Sequence, residues 1–338
     1  MRAVVLDERP RALRMVSDWP EPEPGPGEVL VQVRGVGICG SDLALHAGRR
    51  PPPSFPWVVG HETFGEIAAT GPGVDRGRAG QRVVVEPNIP CGTCPACRAG
   101  RTSACPHRKI LGFSVPGTLA ERIVVPAAFA WPVPDDWGDG DAVCAEPLTV
   151  ALAAVRRAAA ALTAAAPPGG APAGADRCLI IGAGSQGTLT CVALASGGIS
   201  PAVLEPHRGR LALAAELGAR TAGPGESGFG LVFETSGAPE ALAEAVDRVA
   251  RGGLVVLMGL NSQPAPIITQ RLVQRQLTLM GSLIYDHPRD FAEVTGKHGP
   301  GAGRVLRACY PMAEAEAAFR DAGRVPGKTW IRVQPPEG

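Results

Sequence analysis

The apolar positions along the chain follow one pattern before residue 146 and another after residue 176. The first part carries short apolar or alternating runs separated by glycine and proline. Such runs predict β-strands joined by turns, and their irregular spacing favours an antiparallel, barrel-like domain with functional loops. The clearest examples are RAVVL (2–6), EVLVQVRGVG (28–37), GEIAAT (65–70) and RVVVE (82–86).

The later part alternates between uninterrupted apolar runs and helix-forming segments. This alternation predicts a parallel, doubly wound sheet, so the expected fold class is α/β with a β-rich first domain. The expected strands are 178–182, 202–205, 231–234, 254–259 and 277–282, and the expected helices are 185–196, 208–219 and 239–250.

Connecting segments complete this organisation. EPLTVALAAVRRAAAAL (146–162) predicts a long helix between the domains, and the low-complexity run 164–174 predicts an exposed loop. The stretch 223–230 is short, which indicates that the usual helix ahead of the strand at 231–234 is missing. The remaining residues are expected to return to the first domain, with one amphipathic helix (313–323) and one strand (329–333).

Composition limits the classes of protein. With 338 residues, 45% of them hydrophobic, the chain can bury the cores of two domains. The formal net charge is +1, and doublets such as Arg49-Arg50 are interpreted as solvated surface, so no nucleic-acid or membrane-surface partner is indicated. Apolar stretches are broken before about 18 residues, which argues against a membrane span. The N-terminal apolar run is too short for a secretion signal, so the nine cysteines are expected in a reducing cytoplasm, where clustered thiols favour metals.

GAGSQG (182–187) follows a predicted strand and opens a predicted helix. In that context the spacing predicts a dinucleotide-binding loop, with the phosphates on the helix N-terminus. The first glycine permits a tight turn, the second lets the pyrophosphate approach the backbone, and the third lets the helix pack on the sheet. The candidate cofactor-binding residues of this loop are Gly182, Gly184, Ser185, Gln186 and Gly187.

Glu205 ends the next predicted strand, where a carboxylate can accept hydrogen bonds from the adenosine ribose. The same carboxylate repels a 2′-phosphate, so NAD is expected to be preferred over NADP. His207 and Arg208 lie close by in the sequence and keep NADP as an alternative.

Four cysteines lie in a C-x2-C-x2-C-x7-C pattern, namely Cys91, Cys94, Cys97 and Cys105. Zinc accepts four thiolates in a tetrahedral arrangement, and short loops between cysteines suit it. An iron–sulfur cluster is the alternative, because bacterial ferredoxins place a Cys-Pro pair after similar spacings. The last gap is too long for that pattern, which favours zinc. A closed four-thiolate site has no open position for substrate, so this zinc is expected to be structural.

The candidate catalytic residues lie elsewhere. VGICGSD (36–42) contains Cys39 and Ser41, VVGHETFGE (58–66) contains His61 and Glu62, and Glu146 begins the connecting helix. Each residue by itself is compatible with ordinary packing. Together with a nucleotide-binding domain, a thiolate, an imidazole and a carboxylate predict an open zinc site.

The motifs GICGSD, GHETFGE, the four-cysteine loop, CAEPLTVAL (144–152) and GAGSQG, in this order, resemble the zinc-dependent medium-chain dehydrogenase/reductase family over essentially the whole chain. The acidic Glu146 and the CGSD form are most similar to the branch of sorbitol, threonine, glucose and aminocyclitol dehydrogenases. The resemblance implies a GroES-like catalytic domain (1–150) with a structural zinc loop (91–105), a Rossmann NAD(P)-binding domain (151–284), and a returning segment (285–338). It also implies homodimers or homotetramers.

The same resemblance implies roles for individual residues. Cys39 and His61 are expected to ligate the catalytic zinc, with either Glu62 or Glu146 completing the set. Ser41 resembles the hydroxyl that passes on the alcohol proton, and Thr149 resembles the residue that packs against the nicotinamide. Relatives often carry a relay histidine five residues after the cysteine; here that position is Ala44, and the nearest histidine is His46.

The expected activity is reversible hydride transfer between NAD(P) and a secondary alcohol of a polyol, cyclitol, aminocyclitol or sugar, with two zinc ions per chain. One alternative is an L-threonine-type dehydrogenase of amino alcohols or hydroxy acids, and another is a non-oxidative zinc protein on the same scaffold. Substrate contacts are barely encoded, and four candidate aromatic residues are interpreted as ordinary packing, namely Phe55, Trp57, Phe113 and Tyr285.

Overall fold

The structure is a computed structural model that describes residues 1–9, 11–165, 177–297 and 301–334. The chain divides into two compact units, Met1–Glu146 with Asp286–Gly338, and Pro147–Tyr285. The low-complexity loop expected at 164–174 lies, from residue 166 onward, outside the described residues.

The strands and helices are numbered in chain order. The strands are β1 (Ala3–Leu6), β2 (Leu13–Val16), β3 (Glu28–Gly37), β4 (Trp57–Val58), β5 (Glu62–Thr70), β6 (Arg82–Val85), β7 (Asn88–Ile89), β8 (Lys109–Ile110), β9 (Arg122–Pro126), β10 (Ala130–Pro132), β11 (Cys178–Ile181), β12 (Ala202–Leu204), β13 (Arg220–Thr221), β14 (Phe229–Glu234), β15 (Val249–Leu257), β16 (Thr278–Gly281), β17 (Leu306–Pro311) and β18 (Lys328–Arg332). The helices are α1 (Gly40–His46), α2 (Pro95–Arg98), α3 (Asp139–Val143), α4 (Ala145–Ala165), α5 (Ser185–Ser196), α6 (Arg208–Glu216), α7 (Pro239–Arg248), α8 (Thr269–Arg275), α9 (Arg289–Lys297) and α10 (Ala315–Ala322).

The first unit is built around a seven-stranded sheet in the order β10-β6-β5-β3-β18-β17, with β9 also pairing with β3. Side chains of β3 alternate between buried and half-buried until its last residues, as a strand with one face on the core requires. β3 runs antiparallel to β5, β9 and β18, whereas β17 and β18 are parallel. A β-rich first domain is therefore confirmed.

The second unit holds a six-stranded, wholly parallel sheet in the order β13-β12-β11-β14-β15-β16. Its central strands β11 and β14 are buried along their whole length, because helices cover both faces of such a sheet. The strand order reverses between β11 and β14, which is the topology of a Rossmann fold and confirms the expected doubly wound class.

The largest departures from the expected elements are at β15 and in the returning segment, whereas the helix expected to be missing ahead of β14 is indeed not found there. β15 begins at Val249, directly after α7, because an irregularity in the pairing with β14 between Phe229 and Leu231 accommodates the Gly252-Gly253 pair inside the strand. No helix lies in residues 222–228, all of which are described. The returning segment was expected to carry one helix and one strand, and this is wrong: α9 and β17 are additional.

The connecting helix α4 spans 21 residues and starts one residue earlier than predicted. By length and composition alone it could cross a membrane, and 33% of its apolar window is buried within the protein. A core helix passes the same test, so this is weak evidence for a span. The centre of α4 also carries Arg157, which donates hydrogen bonds of 3.0 Å to the carbonyls of Leu283 and Ile284 in the same unit.

Candidate active site and metal centres

Three of the predicted zinc ligands meet at one end of the first unit's sheet. One ligand atom each from Cys39, His61 and Glu62 lies within 4.8 Å of the others. Cys39 follows the end of β3 and caps α1, whereas Glu62 begins β5. Gly37 is the pairing partner of Glu62 across the two strands, so the register brings the thiol and the carboxylate together.

Asp42 holds the imidazole of His61 in place. Its Oδ1 atom accepts a hydrogen bond from His61 Nδ1 at 3.0 Å, and its Oδ2 atom accepts one from the Cys39 backbone at 3.0 Å. Burial lowers the pKa of His61, but the charge and hydrogen bond of Asp42 raise it to well above its usual range. With Nδ1 occupied, Nε2 is the nitrogen that can bind a metal, an arrangement common among metal-binding histidines.

Glu62 forms a fully buried ion pair with Lys328 at the start of β18. Lys328 Nζ also donates to the Ile38 carbonyl at 3.1 Å. Among the described residues, Glu62 Oε1 has no hydrogen-bond partner. A Cβ atom at Gly37 would collide with the Glu62 carboxylate, so a larger residue there would displace this side chain.

Sequence reasoning missed Lys328. The available signal was a lysine at the start of an apolar strand, because a buried ammonium needs a partner charge. The donor set nevertheless fits zinc: sulfur, nitrogen and a carboxylate oxygen without a hydrogen-bond partner are the ligands that open zinc sites use.

The remaining residues for which the sequence suggested a role in the site lie in the helices α1 and α4. Ser41 is half-buried in the first turn of α1, and Glu146 is buried in the first turn of α4. Within the described residues, Glu146 is not among those whose ligand atoms group with Cys39. Thr149 is fully buried one turn further along α4. His46 lies 3.1 Å from the carboxylate of Glu316, so its ring is already paired.

Phe113 contacts His61, one of the predicted ligands, and is not only core packing. Its ring lies edge-on to that of His61, with centroids 5.1 Å apart. Arg50, expected as plain solvated surface, is exposed, but its guanidinium carbon lies 4.1 Å above the Phe113 ring. The other three aromatic candidates are buried or half-buried, and Trp57 donates to the Gly112 carbonyl at 2.8 Å.

The four cysteines form a second compact cluster. Their sulfur atoms all lie within 4.8 Å of one another, with Cys94–Cys97 at 3.5 Å and Cys91–Cys105 at 3.6 Å. Tetrahedral zinc with Zn–S distances of about 2.3 Å requires sulfur–sulfur distances of about 3.8 Å. The set therefore fits a closed zinc site.

Neighbouring groups shift the pKa values of two of these thiols, and hydrogen bonds join the loop to the rest of its unit. Hydrogen bonds from the Thr93 and Cys94 backbone lower the pKa of Cys91 to about 6, whereas desolvation and the neighbouring thiols raise the pKa of Cys97 to about 12. The loop is bound to the returning segment of the same unit: the Ser103 backbone N–H donates to Asp286 Oδ1 at 2.9 Å, and the His287 backbone N–H donates to Thr102 Oγ1 at 2.7 Å.

The glycine loop of the second unit has the form that the sequence predicts. Gly182 has φ +91°, and a Cβ there would lie 2.8 Å from Ser236. A Cβ at Gly187 would collide with the Gly182 carbonyl, whereas none of the surrounding atoms lies within 4 Å of a Cβ at Gly184. The open face at Gly184, together with the N-terminus of α5, suits a pyrophosphate.

Polar groups beside this loop hold its shape. Thr235 Oγ1 donates to the Gly182 carbonyl at 2.9 Å. The two oxygens of Glu205 accept hydrogen bonds of 2.8 Å from the backbone of Ala183 and of His207. Gln186 Nε2 donates to the Pro147 carbonyl at 3.4 Å, and its buried Oε1 has no partner among the described residues. A carboxylate has further lone pairs, so Glu205 can still accept a ribose hydroxyl.

An open zinc-type donor set and a dinucleotide-binding unit together define a zinc-dependent oxidoreductase. Comparison with known proteins supports this class of enzyme. Residues 25–135 match the family model "Alcohol dehydrogenase GroES-like domain", and residues 187–297 match "Zinc-binding dehydrogenase".

Curated relatives include the starvation-sensing protein RspB of Escherichia coli K12, 34% identical over 293 residues (82% of each chain). L-threonine 3-dehydrogenase of Thermococcus kodakarensis is 36% identical and covers 75% of this chain and 73% of its own, and L-galactonate-5-dehydrogenase of E. coli K12 is 33% identical over 89% of each.

Among solved structures, the rspB alcohol dehydrogenase of E. coli CFT073, complexed with NADH, has a TM-score of 0.86 at 27% identity and covers 98% of this chain and 99% of its own. A zinc-binding dehydrogenase of Sinorhizobium meliloti, bound to NADP, has a TM-score of 0.84 at 27% identity with the same coverage. The chain therefore belongs to the zinc-dependent medium-chain dehydrogenase/reductase family. It is an NAD(P)-dependent oxidoreductase that acts on CH–OH donors.

Proposed function

We propose that this enzyme oxidises, reversibly, a secondary alcohol of a small polyhydroxylated compound, either a polyol, a cyclitol or aminocyclitol, or a sugar derivative. The observation that carries the proposal is the open donor set of Cys39, His61 and Glu62. Three ligands leave a coordination position for a substrate hydroxyl, which the four-cysteine loop does not.

In this proposal, different residues bind the metal and transfer the proton. Cys39, His61 and Glu62 hold the catalytic zinc, with Glu146 as the alternative carboxylate. When bound, zinc supplies Lewis-acid polarisation of the alcohol oxygen. Ser41 Oγ accepts the hydroxyl proton and passes one to solvent, while NAD(P) supplies the hydride acceptor. The balance is alcohol plus NAD⁺ giving ketone, NADH and a proton.

We propose NAD as the preferred cofactor, held by the loop residues Gly182, Gly184, Ser185, Gln186 and Gly187 and by Thr149 at the nicotinamide end. The support is Glu205, whose carboxylate lies beside the loop and disfavours a 2′-phosphate. Turnover with NAD should exceed turnover with NADP, and Glu205→Ala should reduce that ratio.

A second candidate is an L-threonine-type dehydrogenase of amino alcohols or hydroxy acids. The relative named L-threonine 3-dehydrogenase supports it. A non-oxidative zinc protein is disfavoured, because the catalytic cysteine, histidine and acidic residues are all in place.

We further propose a cytoplasmic homodimer or homotetramer. All nine cysteines are free, which suits a reducing compartment. In the second unit β16 is the edge strand of its sheet. The apolar side chains of Leu260 (78% exposed) and Val273 (76% exposed) are the kind of surface that a second copy of the chain would bury. Sedimentation velocity tests the assembly, and a monomer would contradict it.

The activity is tested by absorbance at 340 nm with NAD or NADP and a panel of inositols, aminocyclitols, alditols, aldonates, amino alcohols and simple alcohols. NADH formation with the polyhydroxylated compounds supports the proposal, and formation with L-threonine alone selects the second candidate. No NADH from any compound, in protein with zinc and NAD bound, would contradict both. Metal analysis should give two zinc ions per chain.

A further inference from the structure

Arg50 lies beside the open zinc site although it belongs to no ligand set. Its guanidinium carbon is 4.1 Å from the Phe113 ring centroid, and that ring is 5.1 Å from the His61 ring. The guanidinium carbon is therefore no more than about 9 Å from the imidazole centroid, with one aromatic ring between them.

The backbone fixes this position. The N–H groups of Arg49 and Arg50 donate to the Ala44 carbonyl at 2.9 and 3.3 Å. Ala44 lies in α1, the short helix that Cys39 caps. The short helix that Cys39 caps therefore holds the backbone of Arg50 at its other end, and the stacking on Phe113 places the guanidinium.

Within the part of the chain that the structure describes, the Arg50 guanidinium forms no ion pair. The side chain is exposed, and no carboxylate pairs with it in residues 1–9, 11–165, 177–297 and 301–334. Arg11 is different, because its guanidinium donates to the carbonyls of Leu45 and His46. A guanidinium stacked on a ring keeps its N–H edge free, and that planar fork matches a carboxylate.

We propose that Arg50 binds a carboxylate of the substrate, so that the enzyme acts on small hydroxy acids in preference to neutral polyols. This inference rests on the proposed alcohol dehydrogenase activity and, within it, favours substrates that carry a carboxylate: sugar acids in the first candidate class and hydroxy acids in the second. Since the guanidinium carbon is no more than about 9 Å from the imidazole centroid, one small substrate can place its reacting hydroxyl at the His61 cluster and its carboxylate at Arg50. A single guanidinium balances the single charge of a carboxylate, and a phosphate ester carries more charge.

The test compares matched acids and neutral alcohols. L-galactonate is paired with galactitol, and L-threonine with 1-amino-2-propanol. Wild type should favour one of the acids at least 10-fold in kcat/KM. Arg50→Gln should lower kcat/KM for that acid about 10–100-fold, mainly through KM, and change the neutral partner less than threefold. Arg50→Lys should retain part of the activity.

Arg49→Gln is the matched control, because it removes the same charge one residue away and should leave both substrates unchanged. Equal losses on acid and neutral alcohol, a neutral preference in wild type, or the same effect from Arg49→Gln would overturn the proposal. A stronger response to galactitol 1-phosphate than to any acid would overturn the carboxylate assignment.

Binding separates this inference from the proposed function. Calorimetric titration of the zinc- and NAD-loaded protein with the same acids needs no turnover. Tight binding that weakens at least 10-fold in Arg50→Gln, without NADH formation, would leave the carboxylate site standing and contradict the proposed activity. Acid binding that is unaffected by Arg50→Gln would overturn the carboxylate site.

Discussion

The four-cysteine loop and the Cys39–His61–Glu62 cluster both have the side chains that zinc binds, but they are built differently. The loop takes all its ligands from residues 91–105 and closes them around one point. The open cluster takes ligands from the ends of two strands and is supported by two further charges, Asp42 and Lys328. Four ligands from one short loop fill every coordination position of a zinc ion, which is typical of a structural site. Three ligands leave one position open for a substrate, which is typical of a catalytic site.

The largest expected difference between the two clusters is in turnover. His61→Ala removes a proposed imidazole ligand and should lower kcat/KM about 10⁴-fold, because metal polarisation of the reacting oxygen stabilises the transition state by several kcal/mol. Metal analysis should find about one zinc per chain in place of two. Full activity in this variant would mean that His61 is not a ligand.

Because Glu62 and Lys328 form a buried ion pair, the stability of the fold should depend on both residues. Lys328→Met removes the lysine partner of the buried Glu62 carboxylate and should lower the free energy of unfolding by about 3–5 kcal/mol, measured from the urea transition of the full chain without added zinc. Lys109→Met, at an exposed lysine, is the control and should change it by less than about 0.5 kcal/mol.

The double variant Glu62→Gln/Lys328→Met should recover much of that loss, since no unpaired charge remains. An unchanged transition in Lys328→Met alone would show that the pair contributes nothing.

A ligand removed from the four-cysteine loop should differ from His61→Ala, because it should lower stability and leave turnover unchanged. Cys94→Ser removes one of four thiolates and should release the structural zinc. The free energy of unfolding should fall by about 3 kcal/mol when free zinc exceeds the dissociation constant about 100-fold. Remaining folded protein should keep one zinc and its kcat. Loss of kcat without loss of stability would reverse the roles of the two clusters.

Prediction from sequence succeeded where the determining contacts are short in sequence. The helix at 185–196 and the β3 strand at 28–37 have their predicted bounds, because apolar periodicity and glycine spacing act within a few residues. β15 and the returning segment were less predictable. Their limits depend on pairing with strands that are distant in the chain, as between β14 and β15 or between β17 and β18.

The sequence by itself determined the two-part α/β architecture, the glycine loop and the four-thiol cluster, since the spacing of neighbouring residues encodes each of them. Only the tertiary structure decided that Lys328 meets Glu62 and that Arg50 stacks on the ring beside His61. These contacts join side chains up to 266 positions apart (Glu62 to Lys328). They depend on strand register and side-chain packing, which local patterns do not specify.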